Sequence, residues 1–236
     1  MSVAVITGAS QGFGLALTTE LRRLGWDLVV DARHPESLHA ATSGLTGDGR
    51  LVALAGDVTD PQHRAGLAAA AERLGGADLL VNNASTLGAS PLPSVEALDP
   101  ATLTSIYATN VVAPVALVRD LLPQLARGPG RVVNLTSDAA VEPYETWAGY
   151  GSSKAALEQV TAILAAERPD LHVYAFDPGD MRTRLHQDAF PGEDISDRAE
   201  PATVVPALVR LLREDLPSGR YRASDLLART AEEVSA

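Results

Sequence analysis

The segment Val3–Leu24, VAVITGASQGFGLALTTELRRL, decides how the rest of the chain is read. Val3 to Thr7 is a short, almost wholly apolar run, too short for a helix and stopped by Gly8, which predicts a strand buried on both faces. Gly8, Gly12 and Gly14 follow, and Leu15 to Leu24 has the periodicity of a helix. Strand, glycine turn and helix in that order put backbone N–H groups and a helix N-terminus where a pyrophosphate binds. The spacing TGASQGFG is wider than G-x-G-x-x-G, so the glycines draw their weight from the strand before and the helix after.

The alternation continues outward from this unit. Asp27 to Asp31, Leu51 to Ala55, Leu79 to Val81, Arg131 to Thr136, Leu171 to Phe176 and the short Arg220 to Arg222 read as strands. Pro35 to Thr42, Pro61 to Leu74, Thr102 to Arg127, Trp147 to Arg168 and Pro201 to Arg213 read as helices. Asp60 suits the N-cap of the helix that opens at Pro61, and Pro114 predicts a kink or local distortion in the long helix carrying Asn110. The pattern predicts a doubly wound α/β fold: a mostly parallel sheet with helices on both faces and right-handed crossovers. Ligands in such sheets bind beyond the carboxyl ends of the strands, where strand order reverses. Gly8, Asp57, Asn83, Ser137 and the pair Pro178-Gly179 all follow predicted strands.

A chain of 236 residues without a linker or composition break reads as one domain, residues 1–236. It has no cysteine, which fits a reducing, cytoplasmic setting and leaves neither a disulfide framework nor a thiolate metal site. His34, His39, His63, His172 and His186 show no ligand spacing, so no metal is expected. The start, MSVAVITGAS, lacks a basic n-region and does not read as a signal peptide. No apolar run in the sequence approaches the twenty or so residues of a membrane span. A formal charge of −11 argues against sequence-independent nucleic-acid binding, and means that an anionic ligand must be held by local groups.

The second informative stretch is Asn134–Leu157, NLTSDAAVEPYETWAGYGSSKAAL, with Ser137, Tyr150 and Lys154 at spacings of thirteen and four. Lys154 is the only lysine in the chain; every other fixed cation is Arg. A compact ammonium and a planar guanidinium are not interchangeable. On a helix, Tyr150 and Lys154 are i, i+4 neighbours, a hydrogen bond or two apart. Moving a phenol from a pKa near ~10 toward neutrality takes roughly 4 kcal/mol of preferential phenolate stabilisation, which a desolvated cation can supply. That makes Tyr150 a candidate general acid/base, with Ser137 bonding the same reacting oxygen. The bland alternative is a surface Tyr and Lys that happen to lie four apart.

Taken together, Thr7-Gly8-x-x-x-Gly12-x-Gly14, Asp57-Val58, Asn82-Asn83-Ala84, Asn110, Ser137, Tyr150-x-x-x-Lys154 and Pro178-Gly179 with Thr183 resemble the short-chain dehydrogenase/reductase family over nearly the whole chain. The resemblance implies a Rossmann fold of about seven strands binding NAD or NADP and acting on a small-molecule carbonyl or alcohol. It implies that Thr7, Gly8, Ser10, Gln11, Gly12, Phe13 and Gly14 form the pyrophosphate loop, that Asp57 and Val58 hold the adenine, and that Asn83 and Ala84 lie near the ribose. Tyr150 would be the acid/base, Ser137 would polarise the carbonyl, and Lys154 would bind the nicotinamide ribose and lower the tyrosine pKa. Asn110 would hold a relay water, and Pro178, Gly179, Met181 and Thr183 would contact the carboxamide. Blander roles stay open: Asp57 as a cap, Asn83 closing a turn, Asn110 bonding backbone near Pro114, and Tyr144 and Trp147 as packing.

The chain departs from the family pattern at Ser85, where Gly is usual, and after Ser218, where the usual Asp-Gly-Gly ending is missing. Aligning Val30-Asp31-Ala32-Arg33 on the pattern puts Arg33 where NADP users place a base, which favours NADP(H) over NAD(H); a register shift of one would make Asp31 a ribose ligand and reverse this. Residues 180–200 would form a substrate loop and mobile lid, in which Arg182, Arg184 and His186 either favour an anionic substrate or are solvated charges. The resemblance also implies a homodimer or homotetramer, packed through the two long helices by Leu117, Leu121, Leu157, Ile163 and Leu164. A catalytically idle dinucleotide sensor is the alternative to an enzyme. An enzyme of the extended, epimerase-like branch is disfavoured, because about fifty residues remain after Gly179.

Overall fold

The computed structural model describes residues 2–228. Strand β1 is Val3–Ile6, followed by α1 (Gly12–Arg23), β2 (Asp27–Ala32), α2 (Pro35–Thr42), β3 (Leu51–Ala55), α3 (Pro61–Leu74) and β4 (Leu79–Asn82). The second half runs α4 (Pro100–Tyr107), α5 (Ala113–Leu125), β5 (Arg131–Leu135), α6 (Ala148–Glu167), β6 (His172–Asp177), α7 (Arg184–Ala189), α8 (Pro201–Arg213) and β7 (Gly219–Arg222). All seven strands are parallel, in the order β3-β2-β1-β4-β5-β6-β7. Strand order therefore reverses between β1 and β4, and this places the ligand crevice beyond Thr7 and Asn82.

Period-two burial divides the core. Ala4, Ile6, Val81, Val133 and Phe176 pack under α1 and α8, while Val3, Val5, Leu80, Val132 and Val173 pack under α3 and α5. Successive strand residues point to opposite faces, and both faces are covered, which is why the strands read as continuous apolar runs. A buried polar ladder crosses the second layer: Asn82 Nδ2 donates to Asn134 Oδ1 at 2.7 Å, and Asn134 Nδ2 to Thr161 Oγ1 at 2.8 Å. It locks β4, β5 and α6 in register.

Three expectations are corrected here and one is met. Helix α1 begins at Gly12 rather than Leu15, so Gly12 and Gly14 lie in its first turn. The distortion in the long helix is a π-helical turn, Ala108–Val112, centred on Asn110. Pro114 follows directly in the same continuous helical stretch, so the expected distortion is present and lies just N-terminal to it. The helical stretch Pro100–Leu125 is long and apolar enough to cross a membrane by length and composition. Ile106, Ala113, Leu117, Leu121 and Leu125 along it are all buried in this fold. Finally, Leu117, Leu121 and Leu157 are buried and not on the outside; Ile163 on α6 is exposed, as are Val112 and Val115.

The glycine loop shows how tightly β1 and α1 are joined. A Cβ on Gly14 would overlap both the Gly8 carbonyl oxygen and Asn83 Nδ2. Gly14→Ala is therefore expected to destabilise the protein by about 1–3 kcal/mol, as overpacking of a close contact does. A shift in the urea midpoint measures this, and an unchanged midpoint would contradict the packing.

Candidate active site

A cleft of about 260 Å3 lies along the carboxyl ends of the strands at the β1/β4 switch. Its lining passes from Arg33, Asp57 and Val58, past Gly8, Ser10, Gln11, Gly12 and Phe13 and the pair Asn83-Ala84, to Tyr150, Lys154, Pro178, Met181 and Thr183. The structure thus brings most of the sequence-predicted site residues to one surface. Thr7, Gly14, Asn110, Ser137 and Gly179 are not on it.

Each exception has a visible reason. Thr7 is buried, and its hydroxyl accepts the N–H groups of Asn83 and Ala84 at 3.0 Å, stitching the loops after β1 and β4. Gly14 provides the close helix–strand contact described above. Gly179 adopts φ +72° and receives its bond from Asp177, whose Oδ1 accepts the Gly179 N–H at 3.0 Å. Asn110 is buried, and its carboxamide is fully used: Oδ1 accepts the Thr86 N–H at 2.9 Å and the Ser85 hydroxyl at 3.2 Å, while Nδ2 donates to the Thr86 carbonyl and Ser153 Oγ, both at 3.0 Å. Its side chain anchors the loop after β4, close to the blander of the two expected roles. Ser137 turns its hydroxyl to Asp138 Oδ1 at 2.8 Å and accepts the Ala139 N–H, capping the short turn Asp138–Ala140.

At the nucleotide end, Gly8 and Gly12 hold φ of +69° and +55°, a conformation open to glycine. The N-cap residue Gln11 makes no side-chain bond to the first turn of α1, and that turn carries no acid. Its N–H groups and positive dipole end therefore face the cleft without an internal anion. Asn83 Nδ2 donates to the carbonyls of Thr7 and Gly8, which orients the loop. Asp57 accepts the N–H and hydroxyl of Thr59, while Asp60 caps α3 through Gln62 N–H. Although burial pushes the Asp57 carboxyl up, the Thr59 bonds hold it below its usual range.

Asp31 is completely buried, with Oδ1 accepting the Gly8 N–H at 2.8 Å and Oδ2 paired with His63 Nε2 at 2.9 Å. Burial pushes its carboxyl up, against these bonds. Both oxygens are engaged within the protein, so Asp31 serves the glycine loop. Arg33 is exposed at the rim beside Ala32, His34 and Ser37.

At the other end, Gly149 and Gly151 flank Tyr150, and a Cβ on Gly151 would stand 2.7 Å from the Ala139 carbonyl. This lets α6 approach the end of β5 closely enough to bury both Tyr150 and Lys154. Lys154 Nζ donates to the Leu135 carbonyl at 2.7 Å and lies 5.4 Å from the Tyr150 ring centroid. Burial lowers its pKa from 10.5 to about 8. Burial also raises the Tyr150 phenol, with the Ser85 hydroxyl pulling the other way. The expected lowering of the tyrosine by lysine is thus reversed in this geometry, because desolvation of the phenol prevails and the ammonium is directed to a backbone carbonyl. Trp147 packs edge-on against Tyr150 at 5.7 Å and against Phe190 at 5.8 Å.

Sequence reasoning missed Ser37, Thr86, Thr109 and Thr136 on the cleft wall and the helix Arg184–Ala189 in the substrate loop. Thr183 caps that helix by accepting the His186 N–H, a Ser/Thr signal that was available to find it. A bridge between Met181 and Ala199 closes the segment. Arg182 pairs with Glu200 and Arg184 with Asp188, and His186 Nδ1 stands 3.6 Å from Asp180 Oδ1, so both suggested anion-binding arginines already have carboxylate partners.

A parallel doubly wound sheet with an uncapped helix N-terminus at its switch point, and a buried Tyr–Lys pair opposite, defines a dinucleotide-dependent oxidoreductase site. A family model described as short chain dehydrogenase matches residues 2–194, and the chain belongs to that family. It is 34% identical over 208 residues to the sepiapterin reductase of Meriones unguiculatus, covering 79% of this chain and 76% of that protein. The L-sorbose reductase from Gluconobacter frateurii, solved with NADPH and L-sorbose, superposes with a TM-score of 0.82 at 29% identity, covering 94% of each chain. The Thermococcus sibiricus alcohol dehydrogenase, complexed with 5-hydroxy-NADP, gives 0.84 at 25% identity over 94% of this chain and 95% of that one. The protein is an enzyme that uses a nicotinamide dinucleotide to act on a CH–OH or C=O group of a small molecule.

Lys154 yields a test in stability. Below about pH 8 both folded and unfolded states hold its proton, and the fold bears the full burden of a desolvated charge. Between about 8 and 10.5 the unfolded chain binds the proton and the fold does not, so stability rises with pH. The shift corresponds to about 3 kcal/mol, less about 1 kcal/mol for the Leu135 carbonyl left without its donor. Lys154→Met should therefore be more stable than wild type by roughly 2 kcal/mol at pH 7. The gap should shrink as pH rises through that window, which urea denaturation at several pH values reads directly.

Proposed function

We propose that the chain is a carbonyl reductase and secondary-alcohol dehydrogenase with Tyr150 as general acid/base. The observation that carries this reading is the buried Tyr150–Lys154 pair on one face of α6, opening onto the glycine-loop cleft. The residues present fit a nicotinamide dinucleotide: Gly8 and Gly12 leave room for a backbone approach, and the bare first turn of α1 receives the pyrophosphate. Val58 and Asp57 bound the adenine, Asn83 and Ala84 the ribose, and Pro178, Met181 and Thr183 the carboxamide. When bound, the dinucleotide supplies hydride to the carbonyl carbon or accepts it from the carbinol.

The chain's own residues handle the proton. In reduction, Tyr150 gives its phenolic proton to the carbonyl oxygen, and in oxidation it takes it back. The phenol carries its proton at neutral pH, as the donor in the reduction must. Ser137 turns from Asp138 to donate to the same oxygen, and Lys154 holds the nicotinamide ribose and stabilises the phenolate. Asn110 and Ser85 keep the loop after β4 against Tyr150, and a water on the Asn110 turn returns protons from solvent.

Arg33 at the rim, and Asp31 with both oxygens engaged within the protein, support NADP(H) over NAD(H), since a cation there would meet a 2′-phosphate. We further propose a single domain working in the cytoplasm as a homodimer or homotetramer, with Val112, Val115 and Ile163 as exposed apolar contacts on the long helices. Light scattering at micromolar concentration should show the oligomer, and a monomer would refute it.

Two kinetic measurements test the reading. Tyr150→Phe should lose about 10²- to 10⁴-fold in kcat while binding the dinucleotide as wild type does. A wild type inert toward a broad carbonyl panel that still binds the dinucleotide would favour the sensor. For cofactor choice, kcat/KM should favour NADPH over NADH, and Arg33→Ala should lose about ten- to a hundredfold with NADPH alone. A wild-type preference for NADH, or no loss in the variant, would show the assignment wrong.

A further inference from the structure

Arg220 stands on the edge strand β7, outside the lining of the cleft. Its guanidinium nevertheless bonds three different segments. Nε donates to Glu158 Oε1 at 2.9 Å, and Nη2 donates to Asp177 Oδ2 at 2.8 Å and to the backbone carbonyl of Ser137 at 3.3 Å.

Each acceptor belongs to an element that carries part of the site. Ser137 is the serine itself. Glu158 lies one turn beyond Lys154 on α6, and its Oε1 also accepts the hydroxyl of Thr136, a cleft residue, at 2.6 Å. Asp177 closes β6, and its other oxygen fixes the Gly179 N–H and hence the turn into Pro178–Thr183. Asp177 is 6% exposed and Glu158 17%. Charge-assisted bonds so shielded from water constrain geometry far more than a surface pair does. Arg222, the other cation on Asp177, stands 3.9 Å away, beyond hydrogen-bond reach.

The geometry points to Arg220 as a positioning residue for hydride transfer: one planar fork sets the spacing of Ser137, the Tyr150–Lys154 helix and the turn that orients the nicotinamide end of the dinucleotide. The inference rests on the roles proposed above for those residues. Three acceptors on three segments call for a fork, because an ammonium offers rotatable donors from one point and fixes no plane. Without the guanidinium, the Asp177 and Glu158 carboxylates lose their shared donor and the Ser137 carbonyl its lateral tie, so the three segments are free to drift. A misplacement of 1 Å in a reacting pair can cost ~10²-fold in rate.

The experiment compares wild type with Arg220→Gln and Arg220→Lys. It reads kcat, the primary deuterium isotope effect on kcat with C4-deuterated cofactor, and affinities for the reduced dinucleotide and for the matching ADP-ribose fragment, which lacks nicotinamide. Arg220→Gln should lose about ten- to a hundredfold in kcat with a larger isotope effect. Its affinity for the whole dinucleotide should weaken while that for the fragment stays unchanged. Arg220→Lys should recover only part of the rate, and it carries the same comparisons should the Gln variant fail to fold. An unchanged kcat and isotope effect in either variant, equal weakening of dinucleotide and fragment, or full recovery in Arg220→Lys would each overturn the proposal. The affinity comparison needs no turnover, so it still decides the role of Arg220 if wild type reduces no carbonyl and the proposed activity falls.

Discussion

The site depends on how closely α6 can approach the end of β5. Gly149 and Gly151 bracket Tyr150, and a side chain at Gly151 would collide with the Ala139 backbone. Because the helix comes so near, Lys154 is taken out of water and its ammonium finds the Leu135 carbonyl as its hydrogen-bond acceptor. Burying a lone cation in this way is unfavourable for folding. The Asn82–Asn134–Thr161 ladder and the apolar layers beneath α3 and α5 are among the favourable contacts that offset this cost. Desolvation thus does two things at once: it weakens the hold of Lys154 on its proton and strengthens that of Tyr150 on its own.

The nucleotide end is organised by backbone groups tied from behind by side chains. Thr7 and Asn83 join the two loops that diverge at the switch point, and Asp31 holds the Gly8 N–H from below. The result is a loop fixed at its carbonyls and at one amide, with the first turn of α1 left uncapped. A group that recognises an anion must stay unsatisfied within the protein, and here the capping bonds are spent one turn away, on the strand side of the loop.

Much of this was legible in the sequence. Pro35–Thr42, Leu51–Ala55, Pro61–Leu74 and Pro201–Arg213 have the boundaries their patterns predicted, because Pro at the first helical position and Asp60 at a cap are local signals. The elements that strayed are those whose ends are set by tertiary contact. Gly12 and Gly14 enter α1 because close packing against Gly8 and Asn83, and not propensity, fixes the first turn. Pro114 signalled a distortion near Asn110, but its π form and the four side-chain bonds of Asn110, to partners more than twenty residues away, are not visible to periodicity. The orientation of Ser137 toward Asp138, and the reversal of the expected tyrosine shift, likewise depend on atoms that spacing cannot place.

Charge explains why binding an anionic cofactor remains feasible on a chain of formal charge −11. Long-range attraction is absent, so an anion has to be held by groups at contact distance, such as the uncapped end of α1. The substrate side shows the opposite arrangement: in the loop after β6, Arg182 is matched by Glu200 and Arg184 by Asp188. Those pairs are largely exposed, so they bind each other weakly, as surface charges do, and the side chains packed around Tyr150 are the apolar and aromatic ones of Leu87, Trp147, Leu185 and Ala189.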